Sequence, residues 1–174
     1  MTIKMTLGAA IAAAALFAAP AFAQSPNDAQ IAAIVVAANQ VDIDAGKLAE
    51  SKGSSAEVKA FGKQMVTDHS GVNKQAVALV TKLKVKPEDN PTSESLKKGG
   101  EDNVKNLKTL SGAAFDKAYV DHEVAYHQQV IDALDKTLIP SAQNAELKNL
   151  LVSVRPAFVA HLEHAKMLQG KLGK

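Results

Sequence analysis

Apolar positions recur along this chain at steps of three and four residues, the period of helices that bury one face. The clearest case surrounds Phe61 to Leu83, where Val58, Gly62, Met65, His69, Val72, Ala76, Leu79 and Leu83 form one stripe. His69 is its one member that is neither apolar nor small. Similar stripes predict three more long helices. The first runs from a cap at Ser25 or Asn27 to about Glu50, with Ile31, Val35, Ala38, Asp42, Ala45 and Ala49 in line. Another covers Ala113 to Leu138, with Val120, Val124, His127, Ile131, Leu134 and Leu138. The last covers Ala142 to Leu172, with Leu147, Leu151, Val154, Phe158, His161, Ala165, Leu168 and Leu172. Pro156 inside it predicts a local bend or a break.

The connections carry their own signals. Lys52-Gly53-Ser54-Ser55 ends the first helix, with Gly53 suited to a left-handed C-terminal position, and Ser54 to Glu57 has the form of a capping box. Pro87 and Asn90-Pro91 break the chain after Leu83. A shorter helix follows from about Glu94 to Leu110, capped within Thr92 to Ser95. Its thin apolar face, interrupted by Gly99-Gly100, reads as a surface crossover and not a core member. Ile139-Pro140-Ser141 reads as a turn. No stretch alternates like a strand. The expected fold is all-α: a ferritin-like four-helix bundle with a short extra helix in the long crossover between its second and third helices.

The first 23 residues read as a cleaved signal peptide: Lys4 in a short n-region, an apolar Leu7 to Ala19, then Ala21-Phe22-Ala23. Residues 24–174 then form a single domain that is periplasmic or secreted. The apolar run is too short to span a bilayer, and no other run approaches that length. The chain has no Cys, which leaves His, carboxylates and Met as metal donors and excludes a lipid anchor. The formal net charge is +2, with no basic cluster interleaved with aromatics, which argues against nucleic acid.

Each long stripe carries one polar residue near its middle: Asp42, His69, His127 and His161. Any of them alone reads most simply as a hydrogen-bonded core residue or a register-setting polar group. Four in four helices point to a buried polar network or a divalent metal such as Zn, Fe, Mn or Cu. Counted along the helix axes, His69 and His127 share one level, with Asp42 and His161 in a second layer roughly 7 Å away. Met65, His122, Glu123 and His164 are neighbouring candidates. Asp68 points about 100° away from the seam that holds His69 and is no natural co-ligand. The paired Glu-x-x-His signature of an oxygen-activating di-iron site is absent. Phe115, Tyr119, Tyr126 and Phe158 read as core.

The segments A-A-N-Q-V-D-I-D-A-G-K-L-A (37–49), V-K-A-F-G-K-Q-M-V-T-D-H-S-G-V-N (58–73), L-S-G-A-A-F-D-K-A-Y-V (110–120) and H-L-E-H-A-K-M-L (161–168) resemble the bacterial exported family called domain of unknown function 4142. The resemblance covers nearly all of the chain after the leader. It implies a ferritin-related fold and an exported location; members are often labelled outer-membrane proteins, which nothing in this sequence suits. The pattern of that family falls here on Asp68, His69, Phe115, Asp116, Tyr119, His127 and His161, with Glu usual where this chain has Asp42. No activity comes with it. The leading expectation is a binding module with a core His/Asp site. The alternatives are a structural or stress-related interaction protein without metal and a di-metal oxidoreductase; under each of these readings the chain can form a homo-oligomer or meet an envelope partner.

Overall fold

The computed structural model describes residues 25–173, so the expected signal peptide lies outside the described residues. The helices are α1 (Asp28–Lys52), α2 (Ala56–Lys82), α3 (Pro91–Thr109), α4 (Gly112–Ala133), the single turn α5 (Ile139–Ser141) and α6 (Ala145–Leu172). A π-helical turn, Leu134–Leu138, joins α4 to α5. No strand occurs among the described residues.

Side-chain contacts at the helix ends fix the directions. Asp116 near the start of α4 accepts from the Ser54 and Ser55 N–H groups at 2.8 and 2.9 Å and from the Ser54 hydroxyl at 2.6 Å, just before α2 begins. Lys171 at the end of α6 pairs with Glu57. At the opposite end Asp28 accepts the Gln143 and Asn144 N–H groups, both at 2.9 Å, and Lys82 pairs with Glu146. So α2 and α4 start together at one end, and α1 and α6 start together at the other. The connection carrying α3 runs the length of the molecule between them.

Several local expectations change. Ser55, not Ser54, caps α2, because Ser54 is held by Asp116. Gly53 is extended (φ −49°, ψ 139°); a Cβ there would lie 2.6 Å from the Ala49 carbonyl, so space and not handedness selects glycine. Asn90 caps α3 with Pro91 in its first turn, so α3 starts before Glu94. Pro140 sits within α5 and not in a turn: the Ile139 N–H bonds back to the Leu134 carbonyl, a π spacing just ahead of the proline that lacks its own N–H. α6 runs through Pro156 without breaking. Pro156 and Val152, whose carbonyl loses its partner, are both exposed, so water can supply the missing bond.

α3 is also more than a surface strap. Ser93, Gly100 and Leu107, seven residues apart, are buried, and a Cβ on Gly100 would lie 2.7 Å from Val41 Cγ2 on α1. The glycine that interrupts the apolar face in sequence is the point where the α3 backbone packs on the Val41 side chain. α1 is consequently covered on several sides, and Ile31 through Val35 are all buried. At the α1–α2 crossing the close contact includes backbone: a Cβ on Gly62 would lie 2.7 Å from both Ala49 Cβ and the Gly46 carbonyl.

Two apolar clusters fill the interior. One holds Ile31, Ile34, Val35, Leu134, Leu151 and Phe158; the other holds Ala49, Val58, Phe61, Met65, Tyr119 and Leu168. In sequence, Asn39 and Asp42 on α1, His69 on α2, and Glu123 and His127 on α4 fall between the residues of the two sets.

Candidate metal centre

His69 on α2, His127 on α4 and His161 on α6 form a triangle. Ring centroids are 5.6 Å apart for His69–His127, 5.2 Å for His69–His161 and 5.5 Å for His127–His161. All three are buried, and one ring nitrogen from each lies within 4.8 Å of the other two. Phe158 covers the triangle, 5.1 Å from His69 and 6.2 and 6.3 Å from His127 and His161.

Each ring is held by one nitrogen. His69 donates Nδ1–H to Asn39 Oδ1 at 2.8 Å, with Asp42 Oδ2 at 3.3 Å. Asn39 is fixed in turn because its Nδ2 donates to the Val35 carbonyl at 2.8 Å. His127 donates Nδ1–H to the Glu123 carbonyl at 3.0 Å. His161 donates Nε2–H to Asp68 Oδ2 at 2.9 Å. The other nitrogens, His69 Nε2, His127 Nε2 and His161 Nδ1, find no hydrogen-bond partner among the described residues. One nitrogen donating outward and a lone pair left inward is the arrangement that orients metal-binding imidazoles.

Asp42 and Glu123 adjoin this triangle. One oxygen of each lies within 4.8 Å of a His127 nitrogen and of the other, and Glu123 Oε2 is 3.3 Å from His127 Nδ1. Glu123 is fully buried, and neither of its oxygens has a hydrogen-bond partner among the described residues. Asp42 Oδ1 and the Tyr119 hydroxyl are in the same position. Tyr126 donates to the Ala38 carbonyl at 3.0 Å.

The protonation states follow from burial. Burial, then the neighbouring His127 and His161, lowers His69 to about 3, so its imidazole is neutral at physiological pH. Burial also lowers His161, against the opposing hydrogen bond to Asp68. Burial and then the Glu123 charge push Asp42 well above the usual carboxylate range. Of the two carboxyls, Asp42 is therefore the one that holds a proton more tightly. Burial, then the Glu123 charge, raises the Tyr119 hydroxyl too.

The interior thus combines three inward lone pairs with one adjacent buried negative charge. Such a set suits a first-row divalent cation. The model of a family described as domain of unknown function (DUF4142) matches residues 13–168. The chain belongs to this family. No curated protein and no solved structure matches it.

In this DUF4142 chain the expected residues are redistributed. His69, His127 and His161 share one cluster, so His161 is not a layer away from the other two. Asp42 meets both His69 and the Glu123–His127 side. The two layers merge because axial counting places Cα atoms, whereas side chains lean toward their helix N-terminus. α1 and α6 run opposite to α2 and α4, so the four side chains lean toward one another.

The neighbours separate. Glu123 belongs to the site. Met65 packs in the Phe61 cluster, and His164 lies edge-on to Phe61, with centroids 4.9 Å apart. His122 stacks on Tyr126, and its Nδ1 is 3.9 Å from Glu123 Oε1. Asp68 does not face the seam, yet it fixes the His161 ring from outside. Asn39 escaped the stripe reading. It lies three residues before Asp42, on the same helix face, and a polar residue there in an otherwise apolar run is the signal that marks it.

Proposed function

We propose that this protein is an exported, soluble, ferritin-like four-helix bundle, periplasmic or secreted, that binds one divalent transition-metal ion through His69, His127 and His161. The observation that carries the reading is the set of three inward ring nitrogens without partners, each on a ring whose other nitrogen is engaged. Glu123 supplies the compensating negative charge, and Asp42 holds a proton more tightly. Three protein ligands leave a cation with an open coordination position, as in catalytic and not structural sites. All-imidazole donation suits zinc, copper or iron better than magnesium or calcium. The proposed location rests on the n-region, apolar run and Ala21-Phe22-Ala23 of the leader. No described helix is long and apolar enough to cross a membrane.

A metal-free polar core is the competing reading. It leaves one buried nitrogen of each of the three imidazoles without a hydrogen-bond partner among the described residues, at a cost of about 1–3 kcal/mol each. Elemental analysis of untagged protein, dialysed against zinc, copper, iron or manganese, separates the two readings. One equivalent of a metal, lost in a His69→Ala, His127→Ala double variant that still folds, is expected. No metal retained by the wild type, or equal retention by the variant, overturns the proposal.

A further inference from the structure

The DUF4142 chain has a second concave feature that the metal reading does not use. A cavity of about 470 Å³ opens beside the histidines, between α1, the start of α3, the π-helical turn and α6. Its volume falls in the range of small-molecule sites. Leu134 and Leu138 of the π-helical turn form part of its wall, and a π turn widens a helix at just such places. Its inner wall is Phe158 and Asn39, the two residues that touch His69 from that side.

Charged residues make up 22% of the chain, yet none of the described residues around this cavity is charged. An ionised ligand would lose its hydration there without gaining a counter-charge. Thr92, Gln129 and Thr137 offer side-chain groups that no hydrogen bond of the described structure engages. Gln129 and Thr137 are exposed, which places them at the mouth.

We propose that this cavity binds a neutral, mainly apolar small molecule. Its body lies along Val35, Leu134 and Val154 toward Phe158, and a hydroxyl or carbonyl group meets Gln129 and Thr137. The molecule would then be separated from the histidine triangle by one aromatic ring. Occupancy of the cavity does not depend on metal, so this inference and the metal reading fail separately.

The test is a fluorescence titration of the purified, metal-free protein with the neutral apolar probe N-phenyl-1-naphthylamine. The expected result is saturable binding of one probe per chain, displaced by 1-decanol and at least about tenfold less effectively by decanoate. Ala133→Phe, which fills the cavity, and Thr137→Phe, which closes the exposed mouth, should each weaken the probe about tenfold or more. Thr137 is exposed, so its variant keeps the test valid if Ala133→Phe does not fold. The His69→Ala, His127→Ala variant should lose metal and keep the probe. No saturable binding, unchanged affinity in the folded Phe variants, or decanoate matching decanol overturns the proposal.

Discussion

His161 donates Nε2–H to Asp68 across 2.9 Å, and this bond turns Nδ1 toward His69 and His127. The acceptor is half-exposed, at 41%, while the imidazole is buried. Asp68 therefore acts on the site through the orientation of a ring and not through contact with a metal.

Asp68→Ala should weaken metal binding by roughly 10- to 100-fold, the usual effect of losing such a partner. Its exposure predicts a melting temperature close to wild type for the metal-free protein. Calorimetric zinc titration beside thermal melting checks both. Unchanged affinity would mean that the ring is held by packing alone.

Asn39 holds His69 from within the core, so its loss should reach both stability and binding. Asn39→Ala removes the acceptor of His69 Nδ1–H and should cost about 1–3 kcal/mol in urea unfolding. Metal affinity should fall with it.

Glu123→Gln should act in opposite directions on the two forms. Removing a buried charge relieves the metal-free protein, which should melt higher than wild type. The same change removes the charge that offsets a cation, so the increase in melting temperature on adding zinc should shrink. A variant less stable without metal would show that the carboxylate is already satisfied by the protein.

The metal-free protein should lose stability in acid. His69 has a folded pKa of about 3 against an ordinary 6.5, so its contribution is complete above 6.5 and is lost as pH falls toward 3. His161, also lowered, acts in the same sense over a narrower window. Asp42 is raised and opposes them, because its folded form holds a proton that the unfolded chain releases above about 3.8. Melting temperature should therefore fall below pH 6.5, and Asp42→Asn should steepen the fall down to about pH 4. A flat profile in both proteins would contradict these shifts.

The helices were legible because each buries a face, and burial imposes a period that composition cannot hide. What misled was local and three-dimensional. Gly100 reads as a gap in an apolar face, but it is where α3 meets Val41. Gly53 reads as a left-handed cap, but its value is the space above the Ala49 carbonyl. At the site, a polar residue in each apolar stripe marked His69, His127, His161 and Asp42. Asn39 and Asp68 were hidden, since one lies beside the chosen stripe and the other faces outward. Residues that hold ligands in place need not share the ligands' helix face.

Three imidazoles that coordinate one cobalt ion should give it a distinct visible spectrum. Titration of Co²⁺ into the metal-free protein, followed in the visible region, tests this coordination most directly. The expected result is d–d absorption stronger than that of aqueous Co²⁺, saturating at one equivalent, reversed by Zn²⁺ and absent in a folded His127→Ala variant. A spectrum indistinguishable from free Co²⁺, or the same bands in that variant, would contradict it.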